Sequence, residues 1–173
     1  MISCRNSITR STTRIEKCKN LKIIQLKNEI IMEASIVVIQ KIKEFEGLRL
    51  EAYRDAAGVL TIGYGHTGPD ISPGDKISRY WADELLRDDL ERLGAEVRRL
   101  KVARTQGQFD ALLSFAYNLG TDRLSRSTLL KTIRGGGSRN AIRREFMRWV
   151  YAGGKKLGGL ERRRKWEAKR FFE

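Results

Sequence analysis

Glu46, Asp55, Thr61 and the only histidine, His66, fall in one stretch, F-E-G-L-R-L-E-A-Y-R-D-A-A-G-V-L-T-I-G-Y-G-H. Two carboxylates brought together by a turn are what glycoside hydrolysis needs. One acid protonates the leaving oxygen, and one base or anion works on the opposite face of the sugar. Residue type alone leaves a second role open, because a Glu at a helix end and an Asp in a turn also serve as cap and turn former. Glu44 and Glu51 are the rival acids. Helical periodicity turns Glu44 away from the face of Glu46, and Glu51 alternates with apolar strand positions, so both are expected in solvent. His66 follows Gly63 and Gly65 and is expected to make a structural hydrogen bond or ion pair rather than abstract a proton. The two glycines let the backbone approach a sugar or an opposing lobe closely. Their spacing also mimics a nucleotide loop, but no phosphate-cradling helix start comes after it.

These groups need rigid supports. Ser35 can cap a helix in which Ile36, Ile39, Ile42 and Phe45 recur every three to four residues, with Gly47 suited to its end. Glu46 would then stand at a helix terminus. Leu50 to Arg54 and Val59 to Tyr64 read as strands joined by the turn Asp55-Ala56-Ala57-Gly58. Gly65 to Ser78 holds both prolines and reads as loop with room for a third short strand. Ser78 opens a helix to about Leu100, on which Trp81, Leu85, Leu86, Leu90, Leu93, Val97 and Leu100 keep a helical period. It would span about 33 Å, enough to join two lobes. Thr105-Gln106-Gly107-Gln108 has the form of a capping box. It opens an apolar, central helix through Phe109, Leu112, Leu113, Ala116 and Tyr117. Helices are expected at Ser127 to Arg134, Ser138 to Tyr151 and Leu160 to Phe172. The fold class is α+β, a small β-hairpin lobe and a larger helical lobe joined by a long helix.

A chain of 173 residues suits one domain with its own hydrophobic core. Its net charge of +14 attracts polyanions without choosing among nucleic acid, lipid and cell wall. Mixed signs at Arg87-Asp88-Asp89 and Glu91-Arg92 read as solvated faces. Both cysteines, Cys4 and Cys18, lie near the start, so no disulfide framework supports the core. With one histidine, neither a structural zinc nor any other metal or cofactor is expected. No stretch approaches the length of a membrane span, and no secretory signal is evident.

Residues 1–31 differ in character from the rest of the chain. They contain no glycine and no aromatic residue, and carry seven basic and two acidic side chains. The expectation is a non-native or dispensable extension before a domain over residues 32–173, with an N-terminal helix running into that domain as the alternative.

The motif E-G-L-R-L-x-A-Y-x-D-x-x-G-x-x-T-I-G-Y-G-H is similar to the active-site region of the phage-type lysozymes (endolysins, glycoside hydrolase family 24). The resemblance continues through Q-F-D-A-L-L-S-F-A-Y-N-L-G, S-T-L-L, F-M-R-W-V-Y-A-G-G and G-L-E-R-R-R, and covers about residues 33–173. It implies a lysozyme-like two-lobed fold and a muramidase that cuts the β-1,4 bond between N-acetylmuramic acid and N-acetylglucosamine, lysing bacteria. Matched by position, the family's catalytic residues fall on Glu46, Asp55 and Thr61. Glu46 would be the general acid, its pKa raised by desolvation or by Asp55, with Asp55 and Thr61 positioning water. The resemblance favours inversion, for which the carboxyl groups stand roughly 6.5–9.5 Å apart. It places substrate contacts near Thr67, at Tyr117 and Asn118, and at Ser127, although Tyr117 suits core packing equally. Trp149 and Trp166 are expected in the core, and Arg162, Arg163 and Arg164 as a solvated face or a wall-binding run.

The implied partner is the peptidoglycan glycan strand, met by a monomer with no nucleic acid and no stable membrane insertion. The protein is expected in the producing bacterium's cytoplasm until lysis. Lytic transglycosylase action is the enzymatic alternative, disfavoured by the water-positioning Asp55 and Thr61. Nucleic-acid binding would need the basic residues gathered rather than scattered. A non-catalytic wall-binding module would have no use for the three residues together.

Overall fold

The computed structural model describes residues 31–55 and 57–173. The chain divides at Ile31/Met32, and the fold is that of Met32–Glu173. The expectation for residues 1–31 lies outside the described residues.

Helix α1 (Ile36–Glu46) starts where Ser35, in extended conformation, accepts a hydrogen bond on its hydroxyl from the Val38 N–H. The same hydroxyl donates to Asp110 Oδ2 at 2.5 Å, so the cap also anchors the helix to the core. The buried stripe is Val38 and Ile42 rather than the expected Ile36 register; Ile36 is exposed. Gly47 ends the helix at φ +71, its N–H returning to Lys43 O at 3.0 Å. This left-handed turn is one that a side chain resists.

Strands β1 (Arg49–Arg54) and β2 (Leu60–Gly63) pair antiparallel, with an irregularity between Arg49 and Tyr53. The expected third stretch exists as a short pairing against β1. Ala52 N–H donates to Asp75 O and Ile77 N–H to Leu50 O, each at 2.9 Å. After β2 the chain reverses tightly, Ile62 and His66 exchanging backbone hydrogen bonds around Gly63 and Gly65, both at positive φ.

Helix α2 (Arg79–Arg99) is capped by Ser78 and spans about 31 Å. Its inward face is Ala82, Leu86, Leu90, Gly94 and Val97. Trp81, expected on that stripe, is 60% exposed. Asp89, expected in solvent, is buried because His66 holds it.

Helix α3 (Gln106–Leu119) is the central element, buried at Gly107 and at every position from Phe109 to Ala116. A helix this apolar lies inside, its buried Asp110 and Ser114 hydrogen-bonded, and α3 packs on α1, α2 and the last helix. Thr105 caps it as expected, but Gln108 Oε1 accepts from the N–H of Arg104 at 2.8 Å, one residue before the cap. Gly107 permits a close crossing, since a Cβ there would sit 2.4 Å from Arg170 O. Gly107→Ala is therefore expected to lower stability by about 1–3 kcal/mol through forced backbone movement, read as a drop in the urea midpoint.

Helices α4 (Thr121–Arg126), α5 (Thr128–Arg134), α6 (Arg139–Met147) and α7 (Gly158–Arg170) complete the larger lobe. Helix α6 stops short of the expected Tyr151, and the chain instead forms a hairpin, β3 (Tyr151–Ala152) with β4 (Lys155–Lys156). Gly153 and Gly154, both at positive φ, make the two-residue turn such a hairpin requires. Trp149 packs edge-on to Phe115 and Trp166 to Phe45. The arginine run departs most from expectation: Arg162 is exposed, but Arg163 and Arg164 are 3% and 0% exposed. The architecture is α+β with a dominant helical lobe.

Candidate active site

Glu46 is the last residue of α1, and its side chain is 23% exposed. Its Oε1 accepts from Arg163 Nη1 of α7 at 2.5 Å. The same guanidinium donates through Nη2 to Ser114 O at 2.9 Å and lies 5.1 Å from the Phe45 ring centroid. A side chain with several rotatable bonds is thus fixed by contacts from three helices. Glu46 borders a groove of about 640 Å³ together with Asn118, Leu160 and Trp166, and a second depression of about 530 Å³ along Leu48 to Glu51. The rivals are solvated as expected, although Glu44 lies on the rim of the groove and Glu51 along the second depression. Glu44 pairs with Lys41 and Glu51 with Lys76, both carboxylates more than half exposed.

The β hairpin approaches this carboxylate through Gly65, where a Cβ would lie 3.9 Å from Glu46 Oε2 and 3.8 Å from Tyr117 Oη. Tyr117 reaches across from α3 and donates to Tyr64 O at 2.8 Å. Burial, followed by the charges of Asp89 and Glu46, pushes this phenol well above its ordinary pKa, so it acts as a hydrogen-bond donor. Tyr117 is therefore a tie between the lobes, the packing role weighed against sugar stacking.

Asp55 opens the exposed turn after β1. Its Oδ1 accepts from the N–H groups of Ala57 and Val59 at 2.9 and 2.8 Å. Its second oxygen takes neither bond. Thr61 is buried on β2, and its hydroxyl donates to Val59 O at 3.0 Å, leaving the oxygen free to accept. The hydrogen bonds of both residues are to the hairpin itself rather than to Glu46. Thr67 is exposed just beyond it.

Asn118 lines the groove, its Oδ1 held by Arg164 Nη2, which leaves the amide N–H₂ to donate outward. Ser127 does not present a free hydroxyl. It is buried, donates to Leu124 O at 2.7 Å and accepts from Leu130 N–H at 3.0 Å, because it caps α5.

His66 does what its setting suggested. Nδ1 lies 2.8 Å from Asp89 Oδ2 and Nε2 3.1 Å from Asp70 Oδ2, and Arg92 braces Asp89 at 2.5 Å. Burial pulls its pKa down, but bonds and charges from Asp89 and Asp70 outweigh it and hold the imidazolium above the ordinary value. Asp70 is held low by its own backbone bond and by His66. A raised histidine contributes stability that is full below about pH 6.5 and fades as pH climbs through its folded value. The Tm gap between wild type and His66→Gln should be widest between about pH 4 and 6.5 and narrow above that range.

Sequence reasoning missed Arg163, Arg164 and Glu167. A signal was present: Leu160, Arg164, Glu167, Ala168 and Phe171 share one helical face, so the charges occupy core positions.

Among known proteins, the chain is 46% identical over 144 residues to an endolysin of Bacillus phage B103, covering 82% of this chain and 54% of the relative. It thus spans about half of that protein's length. It is 41% identical over 148 residues to an endolysin of Acyrthosiphon pisum secondary endosymbiont phage 1, covering 83% of this chain and 97% of the relative. Its structure resembles the solved endolysin from Escherichia coli O157:H7 phage FAHEc1 at TM-score 0.72 and 37% identity, over 82% and 94% of the two chains. Residues 43–167 match the phage lysozyme family model, and the chain belongs to the phage lysozyme family.

Proposed function

We propose that the chain is a muramidase that hydrolyses the β-1,4 bond between N-acetylmuramic acid and N-acetylglucosamine in peptidoglycan and thereby lyses bacteria, acting as a monomer. Family membership supports the reaction class. The observation that carries the residue assignment is Glu46 itself. It is clamped by Arg163 at 2.5 Å, borders the two depressions, and faces a glycine-thinned stretch of the β lobe.

Protonated Glu46 gives its proton to the leaving glycosidic oxygen. Ionised Asp55, its Oδ1 engaged by the turn, uses Oδ2 to hold a water and accept its proton as the water attacks the anomeric carbon. Thr61, its own hydrogen committed to Val59 O, accepts from that water and fixes its direction. Attack from the face opposite the leaving group inverts the centre, so the first reducing end released is the α anomer. The test is proton NMR of soluble glycan fragments during the first turnovers. An initial β anomer would show retention and remove Asp55 from its water-holding role. The amide N–H₂ of Asn118 and the exposed Thr67 are suited to the sugar substituents.

Residues 32–173 should suffice, since every residue given a role here lies within them. The expected result is equal initial clearing rates for Met32–Glu173 and the full chain. Among the described residues no helix is long and apolar enough to cross a membrane.

A further inference from the structure

Glu167 is fully buried in α7, and the hydrolysis gives it no task. Its Oε1 accepts from Ser114 Oγ at 2.8 Å and from Arg163 Nε at 3.3 Å, and its Oε2 accepts from Arg164 Nη1 at 2.7 Å. Each guanidinium has a second grip: Arg163 on Glu46, Arg164 on Asn118. Arg164 Nε finds no partner among the described residues, so its plane is set by the terminal nitrogens and by Phe115, 4.7 Å beneath it. One carboxylate therefore stands behind two cations whose far ends hold two groups of the groove.

We propose that Glu167 is a positioning residue for this site: through Arg163 and Arg164 it sets the Glu46 carboxyl and the Asn118 amide from a single buried anchor. Its catalytic consequence rests on the reading of Glu46 as the acid. With Glu46 ionised, two guanidiniums and two carboxylates balance in charge; with Glu46 protonated for catalysis, Glu167 is the one anion left to these two arginines. Burial holds the Glu167 carboxyl above its ordinary value, and the Arg164 and Arg163 charges offset only part of that. Both oxygens face guanidinium donors that cannot accept, so the anion is the form that fits.

Without that anion, Glu46 is the one carboxylate left beside the two arginines, and Arg163 keeps only Glu46 and the Ser114 carbonyl as partners. The other charged or titratable groups near Glu46 are Tyr117 of α3, with Asp89 of α2 beyond it, Lys41, Glu44 and Arg162 on the groove rim, and Arg49 and Glu51 along the second depression. None of them replaces the lost negative charge beside the arginines. The excess positive charge stabilises ionised Glu46, the wrong state for a proton donor.

The test follows the Glu46 carboxyl carbon by NMR through a pH titration of full-length protein labelled with ¹³C-glutamate. In Glu167→Gln the midpoint should fall by about one pH unit, a tenfold change in the ratio of ionised to protonated Glu46. In Arg164→Met it should rise, and in the charge-balanced double variant it should return close to wild type. In the same set, kcat on soluble glycan should fall by up to about tenfold in Glu167→Gln near the wild-type optimum, through the lost proton. A midpoint unchanged in the folded variants would overturn the proposal and leave Glu167 a packing group. Should Glu167→Gln not fold, Arg164→Met carries the test with the opposite sign, since Glu167 keeps Arg163 and Ser114 there. The titration needs no activity, so a wild type that fails to cut peptidoglycan would refute the hydrolase reading separately.

Discussion

Glu46→Gln is expected to slow peptidoglycan clearing by about 10²–10⁴-fold, the range a positioned general acid contributes. The amide matches the carboxyl in size and keeps an oxygen for Arg163 Nη1, so the clamp and the helix end survive. What disappears is the transferable proton. Unchanged circular dichroism and Tm would separate this loss from unfolding. Glu44→Gln, on the same helix but paired outward with Lys41, serves as the control and should stay within about twofold of wild type. A Glu46→Gln protein as fast as wild type would remove Glu46 from the mechanism.

The largest stability effect is expected at Phe115. Its side chain is fully buried on α3, edge-on to Phe146 at 6.0 Å and to Trp149 at 5.4 Å, with the Arg164 guanidinium 4.7 Å from its centroid. Phe115→Ala removes buried apolar area, leaves a cavity between three helices and takes the ring from beneath a buried cation. The expected loss is about 3–5 kcal/mol, lowering Tm by roughly 10 °C for a chain of this size. Phe115→Leu refills most of the volume and should cost less than about 1.5 kcal/mol. Thermal unfolding of the three proteins decides it. An alanine variant that melts with wild type would show the site had collapsed around the smaller side chain.

Local chemistry makes much of the fold legible. Ser35, Ser78 and Thr105 announce the helix starts they cap, and Gly47 announces the end at which Glu46 stands. The hairpin is readable from Asp55 to Gly58 because the turn uses the Asp carboxylate and the glycine's freedom at φ +80. What escapes depends on neighbours distant in sequence. Trp81 fits the α2 period, yet the inward position belongs to Ala82, where a Cβ at Gly63 of the hairpin would lie only 3.5 Å from the Ala82 Cβ. An indole has no room there. Helix α4 is six residues long and the β3–β4 hairpin four paired residues, too short for a period to show.

The site divides in the same way. Glu46, Asp55 and Thr61 are proposed on the resemblance of their motif, and His66 is structural as its setting suggests, bracketed by Asp89 and Asp70. Arg163 and Arg164 read as solvent-facing because arginine usually lies there. Their partners Glu46, Ser114 and Asn118 come from helices far back in the chain, and no local pattern records such a meeting. Ser127 misleads for the converse reason: a hydroxyl beside a groove motif is spent on the cap of α5.

The most direct measurement is mass analysis of muropeptides released from purified peptidoglycan in H₂¹⁸O. Water held by Asp55 and directed by Thr61 should place one ¹⁸O at the new reducing end of muramic acid, with release by Glu46→Gln slowed by about 10²–10⁴-fold. Unlabelled anhydro products from the wild type would contradict hydrolysis, and an uncut wall would contradict the activity itself.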